Sequence, residues 1–233
     1  VSAHLNKAGT LVNLEKYEEA IGAYKDYLEV DDQNPMIYTY MGECYEKIGD
    51  YDKAIEQYLK AIELDAKFHE AWYGIGVSYL YMKKLSDSLY YLNKAIHLDK
   101  DNPDYWFTLG NVQTNMGALS DAVRAYSQVE SLDPHDFEAW VSHAELEFKR
   151  SGPVKAIEVL KKAYTHNSDI PAIIYSLSAY YFLTGEEELC LRFFDKGLRL
   201  NQNERQMAFN ICRRLKYNYK IISLIGKAKN KKP

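Results

Sequence analysis

The sequence is poor in the residues and motifs that metalloproteins and many enzymes use. Of its 233 residues only three are cysteine and six are histidine, and none stands at a spacing typical of a zinc site or a disulfide framework. The 12 glycines are not clustered into a glycine-rich phosphate-binding loop. We therefore expect no metal, no other cofactor and no catalytic centre in this sequence.

Long apolar runs are also missing. The sequence contains neither a membrane-spanning segment nor a recognisable signal peptide. Two of the cysteines, Cys44 and Cys190, stand beside apolar helix positions, where free buried thiols are expected. These features favour a cytoplasmic location.

Acidic residues are missing from the C-terminal end. Residues 205–233 contain nine lysines and arginines but no aspartate or glutamate, which leaves 20 basic and 33 acidic residues in 1–204. Basic clusters bind nucleic-acid phosphates or anionic membranes, but the acidic body opposes this function and we place it below protein binding. An alternative is that the basic end docks onto an acidic surface of its own chain or of a second copy, which predicts self-association.

A pattern of 34 residues recurs six times without insertion or deletion. It is plainest at Trp72, Trp106 and Trp140, the three tryptophans of the chain, which we expect to have a structural role. The same position holds His4, Tyr38 and Ile174 in the other repeats, and four residues later each repeat has a small residue: Ala8, Gly42, Gly76, Gly110, Ala144 and Ser178. A fixed period of this length is typical of a solenoid, which offers long surfaces rather than a closed pocket.

Each repeat is predicted to be a pair of helices joined by a short turn. In the second repeat one helix face carries Tyr38, Met41, Gly42 and Tyr45, and the next carries Ala54, Tyr58, Ala61 and Ile62. Asn34 and Asn102, each followed by proline, are expected to cap first helices, and Ser86 and Ser120 are candidate caps of second helices. Glycine inside a helix costs about 1 kcal/mol relative to alanine, so the periodic glycines predict close helix crossings.

These positions resemble the tetratricopeptide repeat family, whose pattern is Trp-x-x-Leu-Gly-x-x-Tyr followed by Ala, Phe or Tyr, Ala and Pro. The fourth repeat matches it at Trp106, Leu109, Gly110, Ala122, Tyr126 and Pro134. The resemblance implies an all-α fold, a right-handed α-solenoid of six helix-turn-helix repeats over 1–34, 35–68, 69–102, 103–136, 137–170 and 171–204. We expect a capping helix over 205–226, running from Gln206 to Ile225, and a solvated basic tail over 227–233.

In this family a second stripe of each first helix lines a concave groove, by resemblance. Here that stripe is aromatic and acidic, and it comprises Tyr40, Glu43, Glu70, Tyr73, Val77, Tyr81, Asp104, Phe107, Asn111, Asn115, Glu138, Val141, Glu145 and Phe148. It favours a basic or apolar peptide, with aromatic rings burying apolar anchors and carboxylates selecting cations. The alternative is that Tyr73, Phe107 and Phe148 pack against adjoining first helices and bind nothing.

The resemblance also allows one known function of the family to be set aside. Family members that hold the acidic C-terminal tail of heat-shock chaperones use Lys, Arg and Asn to bind its carboxylates, whereas comparable positions here hold Leu5, Gly9, Tyr40, Glu70 and Gly74. We therefore expect a non-catalytic scaffold or adaptor for a protein or peptide. Because the sequence begins at Val1 in phase with a repeat, we also expect a piece of a longer or processed protein, and the alternative function is the substrate-recruiting region of a larger enzyme.

Overall fold

The protein is an α-solenoid built from helix pairs. A computed structural model describes residues 2–229, and no strand occurs within that range. The helix pairs are α1 (Ser2–Asn13) and α2 (Tyr17–Leu28), α3 (Pro35–Ile48) and α4 (Tyr51–Leu64), α5 (His69–Tyr81) and α6 (Leu85–Leu98), α7 (Pro103–Asn115) and α8 (Leu119–Leu132), α9 (Phe137–Ser151) and α10 (Pro153–His166), and α11 (Pro171–Thr184) and α12 (Glu187–Asn201). From α3 onward the first helices begin 34 residues apart, as the sequence pattern predicts.

The chain divides into two compact units. The first is Val1–Gly117 and contains α1–α7, and the second is Ala118–Pro233. Within each unit, helices that follow each other in sequence pack together, and first helices of neighbouring repeats also touch, as α3 does with α5 and α9 with α11. No helix in the described part of the chain combines the length and the apolar character needed to cross a bilayer.

Within the pairs, a residue with positive φ recurs in the turn between the two helices. Gly49 ends α3 at φ +87°, and Gly117 and Gly185 occupy the same position two and four repeats later. In the first and third repeats the position holds Glu15 and Lys83, at φ +58° and +61°. Side chains rarely adopt this left-handed conformation, so these two turns are less favourable than the glycine turns.

The helix starts confirm some of the expected caps and correct others. The Asn34 and Asn102 side chains accept hydrogen bonds from the amides of Met36 and Asp104, at 3.1 and 3.0 Å, and so cap α3 and α7. The expectation for Ser86 and Ser120 is wrong, because α6 begins at Leu85 and α8 at Leu119 without a side-chain cap. Second helices follow the turn so closely that the serines already lie inside the first helical turn.

Each tryptophan ties its first helix to the preceding inter-repeat segment. The indole nitrogens of Trp72, Trp106 and Trp140 donate hydrogen bonds to the carbonyl oxygens of Ala66, Lys100 and Pro134, at 3.0, 2.7 and 3.0 Å. Only Trp140 is buried, whereas the other two are half-buried. Their structural role therefore combines packing with a hydrogen bond that phenylalanine could not supply.

The C-terminal segment differs from the single capping helix that the sequence suggests. It consists of α13 (Gln206–Ile211), a 3-10 turn (Arg213–Tyr217) and α14 (Tyr219–Lys229). The helix breaks where Cys212 becomes extended, and it restarts because the Asn218 side chain accepts hydrogen bonds from the amides of Lys220 and Ile221. Lys220 also pairs with Glu187 of α12 at 2.6 Å. The predicted tail begins inside α14, and its residues 230–233 lie outside the described residues.

Candidate functional site

Nine of the ten predicted stripe residues in the first unit line three adjoining cavities. We call these the acidic cavity, the apolar cavity and the asparagine cavity, after their lining residues. The acidic cavity has a volume of about 570 Å³ and is lined by Glu43, Glu46, Lys47, Tyr51, Tyr58, Glu70, Tyr73, Gly74, Val77, Tyr81, Asn102, Asp104 and Tyr105. It therefore brings together six of the predicted residues, from α3, α5 and α7.

Tyr58 reaches this cavity because two glycines leave space for its ring. It comes from α4, a second helix, and is 1% exposed. A Cβ atom at Gly42 of α3 would lie 2.5 Å from the Tyr58 ring, and one at Gly74 of α5 would lie 2.3 Å from it. Only glycine permits such close packing from both helices. The predicted crossing at Gly42 is thus occupied by an aromatic ring rather than by a small side chain alone.

Glu46 is the least exposed carboxylate of the acidic cavity. The Ser78 hydroxyl donates a hydrogen bond to Glu46 Oε1 at 2.6 Å, and the Tyr58 hydroxyl also bonds to this carboxylate. Burial raises the pKa of Glu46 to about 7, because desolvation outweighs both hydrogen bonds and the nearby Lys47 ammonium. The carboxyl group therefore changes charge near neutral pH.

Two pairs of stacked tyrosines supply the aromatic surface of the acidic cavity. The Tyr73 and Tyr105 rings lie 4.6 Å apart with an interplanar angle of 28°, and those of Tyr51 and Tyr81 lie 5.5 Å apart at 6°. The hydroxyls of Tyr73 and Thr108 are 3.0 Å apart and hydrogen-bonded, which holds one ring in place. Tyr73 therefore packs against α7, an adjoining first helix, and the same ring lines the cavity.

The remaining charged groups leave the acidic cavity predominantly negative. Glu43, Glu70 and Asp104 are exposed, and Lys47 is the one basic side chain among the described residues that line it. Although Glu43 is partly open to solvent, desolvation raises its pKa, Lys47 opposes that rise and Glu70 adds to it. Such mutual repulsion between carboxylates is relieved by a cation.

The apolar cavity adjoins the acidic one and shares Glu43 and Lys47 with it. Its volume is about 520 Å³, and the lining is Leu5, Gly9, Val12, Asn13, Tyr17, Tyr24, Asn34, Met36, Ile37, Tyr40, Glu43, Cys44 and Lys47. The Tyr24 and Tyr40 rings lie 5.9 Å apart, and burial raises the pKa of the Tyr24 hydroxyl to about 12 and that of the Cys44 thiol to about 11. Its aromatic and aliphatic walls suit an apolar side chain.

The other predicted residues lie elsewhere. Asn111 and Asn115 line the asparagine cavity, about 640 Å³ in volume, which shares Tyr81 with the acidic cavity, and Phe107 is half-buried on α7. In the second unit Glu138 and Glu145 are exposed on α9, Val141 packs against the core, and the Phe148 ring lies 5.1 Å from Tyr180 of α11. Phe148 therefore packs against an adjoining first helix, as the alternative interpretation expected.

The sequence pattern missed the central carboxylate and three of the tyrosines, Tyr51, Tyr58 and Tyr105. Glu46 follows Glu43 by three residues, so a strict i, i+3 rule along α3 would have found it. Tyr58 was assigned to packing because it occupies a consensus position of the second helix. Tyr105 precedes the conspicuous Trp106, and its position is apolar in neighbouring repeats (Ile37, Ala71, Ala139 and Ile173), which indicates core packing rather than a binding surface.

Within residues 2–229, no group of three or more His, Cys, Asp or Glu side chains is placed to hold a metal ion. His143, which replaces a packing leucine, has its Nδ1 2.7 Å from Glu130 Oε1, and both side chains are largely buried. The contact therefore gives each of these largely buried polar side chains a partner between α8 and α9.

Sequence profiles described as tetratricopeptide repeat match residues 1–34, 69–102 and 103–136, and a second profile of that description matches 23–56. A profile described as TPR repeat matches residues 47–83. Together these matches extend over residues 1–136, more than half of the chain. A search of curated protein sequences gives no match.

Solved structures agree with the repeat fold. MamA is 27% identical, with 69% of this chain and 94% of that chain covered and a TM-score of 0.63. YrrB, titled a TPR protein with an unusual peptide-binding site, is 19% identical over 81% of this chain and 96% of its own, with a TM-score of 0.62. Pseudomonas aeruginosa pilF is 16% identical over 88% and 94%, with a TM-score of 0.70. This chain belongs to the tetratricopeptide repeat family, whose helical repeats serve as scaffolds for protein interactions.

Proposed function

We propose that the first unit is a non-catalytic adaptor that binds a basic segment of a partner protein. The observation that carries this proposal is the acidic cavity, in which the carboxylates of Glu43, Glu46, Glu70 and Asp104 face stacked tyrosines. Carboxylates and aromatic faces both attract cations, and the lining offers little positive charge in return. An acidic segment, such as a chaperone tail, would be repelled.

The neighbouring apolar cavity supports binding of an extended segment rather than of a single small ligand. It shares Glu43 and Lys47 with the acidic cavity, so a chain lying across α1, α3 and α5 passes both. Neighbouring packed helices lie about 8–10 Å apart, which an extended chain spans in roughly three residues. The segment would place an apolar side chain against Tyr40 and a basic one beside Tyr73.

Fluorescence anisotropy of labelled short peptides with the full chain tests the proposal. Basic peptides are expected to bind, and their acidic counterparts of matched length and apolar content are not. The double variant Glu70→Gln/Asp104→Asn should weaken binding about tenfold, because two exposed attractions are removed. Glu138→Gln/Glu145→Gln, which removes the same charge from α9, serves as the matched control. Equal binding of acidic and basic peptides, or equal losses in both double variants, would contradict the proposal.

A further inference from the structure

The acidic cavity has the features of a site for one cationic side chain. Its volume lies within the range of small-ligand sites, about 300–1,000 Å³, and is too small to hold a folded element of a partner. Its walls are tyrosine rings, and its least exposed carboxylate is that of Glu46. A long side chain with a charged head fits these walls, because its alkyl part contacts the rings while its head reaches the carboxylate.

We propose that this cavity receives a single arginine side chain of the bound segment, whose guanidinium pairs with the Glu46 carboxylate and stacks on the tyrosine rings. This inference rests on the proposed function and names the residue that the basic segment must contain. Arginine is favoured over lysine because a planar guanidinium stacks on aromatic faces and donates two parallel hydrogen bonds to a carboxylate. Lysine carries a compact, strongly hydrated ammonium group, which stacks on an aromatic ring less well and does not donate two parallel hydrogen bonds to a carboxylate.

The surroundings of Glu46 fix its position but provide no guanidinium to pair with it. Ser78 holds Oε1 at 2.6 Å, and Tyr58 is held against the same carboxylate by the glycine-lined crossing. No arginine precedes Arg124 in the sequence, so the first unit has no guanidinium of its own to occupy the cavity. Lys47 is shared with the apolar cavity and faces Glu43 as well as Glu46.

Arginine binding at Glu46 should be coupled to proton release. The carboxyl group has a pKa of about 7, and a guanidinium beside it favours the ionised form. Affinity should therefore rise as the pH increases through 7 and level off above it. The other titratable and charged groups facing Glu46 are Glu43, Lys47, Tyr51, Tyr58, Glu70, Tyr73, Tyr81, Asp104 and Tyr105.

The test is a titration of the isotope-labelled full chain with Nα-acetyl-arginine methylamide, followed by NMR. Matched probes carry citrulline, which keeps the shape without the charge, and lysine, which keeps the charge without the plane. We expect shifts at Glu46 and Ser78, and tighter binding of the arginine probe, by at least about fivefold, than of either analogue. For the arginine probe, affinity should fall up to about tenfold between pH 8 and pH 6.

Two variants separate a ligand contact from a structural role. Glu46→Gln should weaken arginine binding about tenfold and abolish its pH dependence, while Glu63→Gln, on the exposed side of α4, should leave both unchanged. Ser78→Ala keeps the carboxylate but removes a bond that lowers its pKa, so the midpoint of the pH dependence should move upward. Equal affinity for citrulline or lysine, or an unchanged pH profile in Glu46→Gln, would overturn the inference. If basic peptides still bind and depend on Glu70 and Asp104, the proposed function survives that result.

Discussion

At the residue scale, the position of one tyrosine explains how packing and binding surface are connected. Tyr58 lies between Gly42 and Gly74, and its hydroxyl reaches Glu46 on the far side of that crossing. Gly42 belongs to the repeat pattern, whereas Gly74 does not. Gly74, which has no glycine counterpart in the other repeats, therefore indicates that the Tyr58 ring packs closely against α5.

Gly74→Ala should destabilise the protein even though alanine is the better helix former. Its Cβ would overlap the Tyr58 ring, which is buried and unable to move away. We expect a loss of about 1–3 kcal/mol in the free energy of unfolding, measured by urea denaturation. Gly22→Ala, at an exposed position of α2, has open space around the new Cβ and should raise the free energy of unfolding by about 0.5–1 kcal/mol. A gain in both variants would show that Tyr58 is not confined by Gly74.

Glu46 should make stability depend on pH in the direction opposite to that of a salt-bridged carboxylate. Its pKa is about 7 in the folded chain and near 4.5 without burial, so the folded state binds the proton more tightly. Stability is then lost as pH rises from about 4.5 to 7. Glu46→Gln removes this dependence, so its stability relative to wild type should improve by about 2 kcal/mol between pH 5 and pH 8. A difference that does not change with pH would place the Glu46 pKa near its ordinary value.

At the element scale, the sequence predicts the helices well because each has local start and stop signals. The 34-residue period, Asn34 before Pro35 and Gly49 after α3 are all visible in the sequence, and each acts within a few residues. The break at Cys212 was not predictable in this way, because apolar residues continue through it and the Asn218 cap is a single polar residue. The cavities were harder still, since they depend on side chains from α3, α4, α5 and α7 meeting in space.

The turn between α5 and α6 offers a test of this local account. Lys83 holds the left-handed position that glycine fills in the turn after α3. Lys83→Gly should therefore raise the free energy of unfolding by about 1 kcal/mol, as measured by thermal or urea denaturation. The reciprocal change, Gly49→Lys, should lower it by a similar amount. A loss of stability in Lys83→Gly with a gain in Gly49→Lys, or no effect of either change, would mean that the turn conformation does not limit stability.

At the scale of the whole molecule, charge is distributed unevenly along the chain. Residues 1–204 are acidic and the last 29 residues are basic, and Lys220 of that end already pairs with Glu187 of α12. The family assignment explains the repeated helices but not this charge, since the likeness to YrrB and pilF extends to the fold alone. The class of partner must therefore be inferred from the side chains of this protein.

If exposed carboxylates select the partner, binding should be sensitive to salt. Charges separated by more than about 10 Å are screened at 0.1 M ionic strength, and screening strengthens further at higher salt. The affinity of a basic peptide for the full chain should fall about tenfold between low and high salt in anisotropy titrations. An affinity that stays constant would indicate apolar contacts alone, such as those of the apolar cavity.

Locating a bound basic peptide on the folded protein distinguishes the acidic cavity from the other surfaces of the chain. Amide shifts of the labelled full chain would be followed while an arginine-containing peptide that binds in the anisotropy assay is added. We expect the largest changes on α3, α5 and the start of α7, around Glu46, Ser78 and Asp104. Changes confined to α9 and α11, or to the C-terminal helices, would contradict this expectation.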